Sequence, residues 1–380
     1  MTRKERILAQ LHGQPVDRIP MFGGWNLGAA NLAQMARMEL GEFMKDPFAG
    51  MIAANQRLGV DAITTCPIVP QSEEEMRQGS VEEHRFEHCT PEDLLERAEK
   101  TPDEEGKLLA DFDFDKSKQG YLDWYRQFLP RLGGIEALPT HWECIANFQL
   151  YFQYGYKAFL EACGLYPDEV EKIFWADSVV TRARNQALAA VFRELNLIPM
   201  IFCGHDICDN KAPMVSPRFL KQRYWKHARY SIEPLLEAGI QLFHHCDGNI
   251  MPLIDDILDI GFSGFQGFQY ECGVDPRVIR AKKTKTGATP KFLTGLSVTR
   301  TLPYGTEQDV RDEVDYFLEC TEGGKGMFLF TSNVTGVEVP PQNVCAAYDY
   351  LKTISPEQWQ SKGITRWPWF EKEAKENPSP

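Results

Sequence analysis

Short apolar runs alternate with amphipathic stretches along most of this chain. "DAITTCPIV" (61–69), "IPMIFCGHD" (198–206), "IQLFHHCDG" (240–248), "FSGFQGF" (262–268), "KFLTGLS" (291–297) and "GMFLFTSN" (326–333) are short and rich in β-branched or aromatic residues. Such runs predict strands. Between them lie helical patterns. Thr306 is placed to cap "EQDVRDEVDYFLEC", in which Val310, Val314, Phe317 and Leu318 fall at i, i+4, i+7 and i+8 and make one apolar stripe. A similar stripe over 165–195 leads directly into the run at 198. Strands alternating with helices predict βα units and a parallel sheet. The stretch 71–107, the most polar of the chain and dense in Glu, predicts a solvated excursion, and the charged, proline-bearing tail from 364 predicts a frayed end with Trp367 and Trp369 available for docking.

Nearly every predicted strand ends in a polar group: Cys66, His205 with Asp206, His245 with Asp247, Gln266 with Gln269, Ser297, and Ser332 with Asn333. In a parallel barrel the C-terminal strand ends meet at one mouth, so residues far apart in sequence would share an active site. Phe22 and Trp25 flank two glycines in an early strand, and the aromatic-rich segment 139–164 offers His141, Trp142 and Phe148. Both suit a flat ligand. The segment "HHCDGN" (244–249) allows three readings: hydrogen-bonded strand-end residues without chemistry, an acid/base or orienting pair, or a metal site. Strand parity turns His244 and Cys246 away from the face that carries His245 and Asp247.

Charge and cysteine content narrow the function classes. The 380 residues include 41 basic and 54 acidic side chains, a net −13. That balance argues against nucleic-acid or anionic-membrane partners. No apolar run reaches the roughly 20 residues that span a bilayer, and the first residues lack the core of a signal peptide, so a cytoplasmic protein is expected. Ten scattered cysteines with no CxxC pair predict reduced thiols and no structural zinc knuckle.

The order of landmarks resembles the uroporphyrinogen decarboxylase-like superfamily: "RILAQLHGQPVDRIP", "GVDAIT", "GHDICDNKAPMVSPRFL", "HCDGNIMPLIDDILDIGFSGFQGFQ", "FLTGLSVTRTLPYGTEQDV" and "VPPQNVCAAYD". The resemblance covers most of the chain and implies one (β/α)8 TIM barrel over 1–380 with its site at the strand C-termini. The decarboxylases carry an arginine-bearing RQAGR-like motif near the N-terminus, where this chain has "IPMFGGWNLGAANLAQM" without arginine. That points to the branch of cobamide-dependent methyltransferases, whose His-x-Cys-Gly-Asn motif and later cysteine hold zinc. With Gly248 and Asn249 fixing the register, the family histidine falls on His245, its cysteine on Asp247 and the late cysteine near Asn333. A mixed His245/Asp247 site is still compatible with zinc, but the third ligand is missing from its usual place, with Glu271 and Cys272 as substitutes.

The resemblance implies methyl transfer from a small, aromatic methyl ether to the cobalt of a corrinoid (cobalamin) carried on a partner protein. His205, Asp206, His245 and Asp247 would carry the chemistry; Phe22, Trp25, Cys66, His141, Phe148, Gln266, Gln269 and Asn333 would bind substrate. Two rivals stay open: a decarboxylase or lyase of a small acid or tetrapyrrole, which needs an arginine such as Arg18 or Arg300, and a non-catalytic corrinoid- or tetrapyrrole-binding protein. A homodimer is also compatible with the sequence.

Overall fold

A computed structural model describes residues 1–68 and 89–370, so about half of the polar excursion and the last ten residues lie outside the described residues. All six predicted runs form strands: β2 (Ala62–Ile68), β4 (Met200–Gly204), β5 (Gln241–His245), β6 (Gly264–Gln266), β7 (Lys291–Leu296) and β8 (Met327–Thr331). β1 (Phe22–Trp25) covers the early aromatic pair, and β3 (Glu136–Leu138) is too short for its pattern to stand out in sequence. Every strand pairing is parallel. The strands make two ladders, β1-β2-β3 and β4-β5-β6-β7-β8, instead of one continuous eight-stranded sheet. Isolated parallel bridges join the ladders at both seams, Met21 with Leu329 and Thr140 with Phe202.

Strand parity sorts the core. Phe22, Trp25, Ala62, Leu138, Met200, Phe202, Phe243, Leu293, Phe328 and Phe330 form a single inner cluster that draws on seven strands from both ladders. Residues of the other parity, such as Ile201, Leu242, Phe265 and Leu329, join a larger cluster with the surrounding helices. Apart from the end of β2 beyond Thr65, the strands are largely buried on both faces, which is why the runs read as nearly continuous apolar stretches. The long helix Pro167–Glu194 and the helix Glu307–Cys320 match the predicted stripes, and Thr306 with Asp309 forms a reciprocal capping box at the start of the latter. The described part of the excursion is more ordered than its polarity suggests. Thr90 and Asp93 cap the helix Pro91–Lys100, which buries Leu94 and Ala98 and leaves its charges outward. Among the described residues no helix is long and apolar enough to cross a membrane, and all ten cysteines are free thiols.

The N-terminal helix Arg3–Leu11 closes the N-terminal end of the strands. Its Ile7 and Leu11 enter the inner cluster, and Gln10 Nε2 donates to the carbonyls of Gly324 and Met327 at 2.6 and 2.7 Å. Beside it lies Asp61, fully buried, which accepts from Arg6 at 2.7 Å, from Arg18 at 2.7 and 2.9 Å, and from the Met21 amide at 2.9 Å. Removing the acid leaves the Arg18 guanidinium without a carboxylate in a partly desolvated corner, while Arg6 keeps Asp17 at 2.6 and 2.7 Å. Asp61→Ala is expected to cost about 3–5 kcal/mol in urea unfolding, and a loss below about 1 kcal/mol would refute this role.

Candidate active site

The C-terminal strand ends gather around His245. β5 delivers His245 on its inward face and continues into Asp247; β4 ends at Gly204 and continues into Asp206. A Cβ at Gly204 would lie 2.3 Å from the His245 carbonyl oxygen, and its φ is +136°, so only glycine lets the two strand ends run this close. As a result ligand atoms of Asp206, His245 and Asp247 all lie within 4.8 Å of one another. His245 Nε2 stands 3.8 Å from Asp206 Oδ1 and 3.8 Å from Asp247 Oδ1. The third group missing near Asn333 is thus Asp206, supplied by a neighbouring strand. Glu271 is held by the Thr299 hydroxyl and Cys272 lies against Gln269, so neither joins the cluster.

Hydrogen bonding fixes the imidazole. Gln266 Nε2 donates to the carbonyls of Thr331 and Ser332 at 2.7 and 3.1 Å, which leaves Oε1 to accept from His245 Nδ1 at 2.5 Å. The proton is therefore on Nδ1, and the Nε2 lone pair faces the two carboxylates. Three electron-rich atoms in one small space repel unless a cation lies among them. A divalent metal ion or a proton meets that requirement, and the donor set, one imidazole nitrogen with two carboxylates, fits zinc or a similar ion.

Asp247 is set for the same role. Its Oδ2 accepts from Asn333 Nδ2 at 2.7 Å, while its buried Oδ1 has no hydrogen-bond partner. Burial raises the Asp247 pKa, and His245 opposes the shift. Its amide donates to Asp206 Oδ1 at 2.8 Å, and the next amide, of Gly248, donates to Gln269 Oε1 at 2.5 Å. Gly248 has φ +83°, and a Cβ there would lie 2.2 Å from the Asp209 carbonyl oxygen. Asn333, at the position where the family resemblance puts a cysteine, thus donates to the aspartate that occupies the other cysteine position.

Aromatic rings box in the histidine. Trp25, Trp142 and Phe202 meet the His245 ring edge-on at 5.7, 5.6 and 5.8 Å, and the two indoles stack on each other at 6.1 Å. Trp25 Nε1 donates to the carbonyl of the exposed Cys66 at 3.3 Å, which ties β1 to β2 at this wall. Phe202 escapes a reading based on strand ends because it lies two residues inside β4. Its alternation with Met200 and Gly204 was the available signal.

Other candidates lie elsewhere. His205 is buried and turned into the neighbouring segment: its Nδ1 accepts from the Phe148 amide at 3.3 Å and its Nε2 donates to the Trp142 carbonyl at 3.2 Å. Burial pushes its pKa down to about 4, so it stays neutral and positions residues 142–148 instead of reacting. Phe148 is fully buried among Phe159, Phe174 and Tyr224, and Phe22 stacks on Phe328 in the inner core, so neither faces a ligand. His141 bonds Tyr125 and Glu143 at 2.9 Å each, and its neighbour Trp142 is the residue that reaches His245. Arg18, the candidate carboxylate grip, is held by Asp61 at the other end of the strands. His244 is fully buried against Phe262, on the outward face as parity requires.

No protein-family model matches the chain, and no curated protein matches it. Among solved structures, a methyltransferase from Methanosarcina mazei matches with a TM-score of 0.59 and 17% identity, covering 92% of this chain and 98% of that one. The likeness is one of fold.

Proposed function

We propose that the protein is a corrinoid-dependent methyltransferase that demethylates a small aromatic methyl ether, built on a (β/α)8 barrel of the uroporphyrinogen decarboxylase type. The barrel reading is supported by the bridges at both ladder seams and by the inner cluster shared between the ladders. The observation that carries the function is the Asp206–His245–Asp247 cluster set inside the Trp25–Trp142–Phe202 box. The methyltransferase whose fold this chain shares is consistent with it.

An aryl ether laid against the indoles would place its oxygen toward the cluster. As the methyl group leaves, that oxygen takes on negative charge, and a nearby proton or cation lowers the barrier. Burial favours a proton on Asp247, and Asn333 keeps the carboxyl oriented. Gln266 holds the His245 tautomer that leaves Nε2 open toward the carboxylates. A divalent ion held by Asp206, His245 and Asp247 would supply Lewis-acid polarisation of the ether oxygen. A corrinoid on a partner protein would supply the methyl acceptor.

The test is incubation of the protein with 2-methoxyphenol and cob(I)alamin, following catechol and methylcobalamin together. Equal formation of both products supports the reading. Binding of the corrinoid without turnover across a panel of aryl methyl ethers would replace it with a carrier or binding role.

A further inference from the structure

Against the net acidity of the chain, residues 276–306 hold seven Lys and Arg and no Asp or Glu. Part of this basic stretch returns to the N-terminal ends of the strands, opposite the His245 cluster. Gln241 and His245 are the two ends of β5, so about 13 Å of strand separates the two regions. Here a cavity of about 560 Å3 lies between helix Trp225–Glu237 and the loop that precedes β7. Arg229, Lys285 and Lys291 line it, together with Ser263 and the apolar Leu236 and Ile240, and no carboxylate does. The volume lies within the range of small-molecule sites.

The cations are placed by structure. Thr284 builds the turn that presents Lys285: its amide donates to the Ala288 carbonyl at 2.9 Å and its hydroxyl accepts from the Ala288 amide at 3.1 Å. Arg229 donates to the Ile260 carbonyl at 2.8 Å. Lys291 is half-buried, and burial followed by the neighbouring Arg280 lowers its pKa. Among the described residues neither Lys285 nor Lys291 has a carboxylate within ion-pair distance. Lys291, a half-buried cation without a counter-ion, is a costly arrangement that an anion relieves, and Lys285 lines the same cavity from the exposed loop. The apolar wall would suit an organic body beside that anion.

We propose that this cavity binds a small phosphorylated organic molecule, with the phosphate held by Arg229, Lys285 and Lys291 and the organic part against Leu236 and Ile240. The site is independent of the methyl-transfer reading. Isothermal titration calorimetry of the full chain with ribose 5-phosphate, inorganic phosphate and ribose tests it. Saturable binding of ribose 5-phosphate is expected, tighter than inorganic phosphate, with no binding of ribose. Lys285→Ala, in an exposed loop where folding is not at stake, and Lys291→Met should each weaken it about tenfold. Lys282→Ala, whose ammonium pairs with Asp255 at 2.8 Å, should not. Three results overturn the proposal: no saturation by ribose 5-phosphate at millimolar concentration, equal affinity for inorganic phosphate, or a loss in Lys282→Ala as large as in Lys291→Met, which would mark diffuse surface charge.

Discussion

His245→Ala is expected to lower methyl transfer by about 10²–10⁴-fold while the protein remains folded. The side chain supplies the only nitrogen of the cluster, and its loss leaves Asp206 and Asp247 facing each other across the vacated space. Gln266→Leu should have a smaller effect, about 10–100-fold, because the ring remains while its tautomer and orientation are released. Elemental mass spectrometry on the same proteins separates two chemistries. Near-stoichiometric zinc that disappears in His245→Ala, Asp206→Asn and Asp247→Asn would assign a Lewis-acid role. Metal-free protein that still turns over would make the three residues proton-transfer and orienting groups. Unchanged turnover in His245→Ala would remove the cluster from the reaction altogether.

Glu313→Gln is expected to stabilise the protein, increasingly so as pH rises. Glu313 lies fully buried on the helix Glu307–Cys320, and burial pushes its carboxyl up to about 8 from an ordinary 4.5, with Glu271 adding to the rise. Its Oε1 accepts from the Ser297 amide at 2.9 Å, while Oε2 lacks a hydrogen-bond partner. Because the folded state holds the proton more tightly than the unfolded chain, stability from this group is full below about pH 4.5 and is lost as pH rises to about 8. Glutamine keeps an acceptor for Ser297 and never ionises. The advantage of the variant should be near zero at pH 4, about 3 kcal/mol at pH 7 and about 4 kcal/mol at pH 8, read from urea melts. A pH-independent difference would show that ionisation of Glu313 does not limit stability.

The same region shows how the tail contributes. Trp367 is 2% exposed and stacks on Tyr270 at 4.5 Å, with Phe370 packed edge-on behind it. Tyr270 follows Gln269, which holds the Gly248 amide beside Asp247. One of the two tryptophans in the expected frayed tail therefore belongs to the core beneath the site loop. Aromatic residues in a polar segment signal docking, but sequence does not say onto what.

Local rules were written plainly in the chain. The Thr306 capping box, the stripe of Val310, Val314, Phe317 and Leu318, and six of the strands follow from residue type and period, because caps and amphipathic faces depend on neighbours within a few residues. Strand parity likewise separated His245 from His244. What depends on contacts between strands was not legible: the Asp206–Asp247 pairing, the buried orientation of His205, the removal of Phe22 and Phe148 from any ligand surface, and the place of Phe202 against His245. β3 has three residues, too few to establish a period. The sequence by itself determined the alternation of elements and the residue types that end each strand. Only the tertiary structure decided which of those ends meet, because register and close approach, such as the Gly204 contact with His245, arise between segments some 40 residues apart.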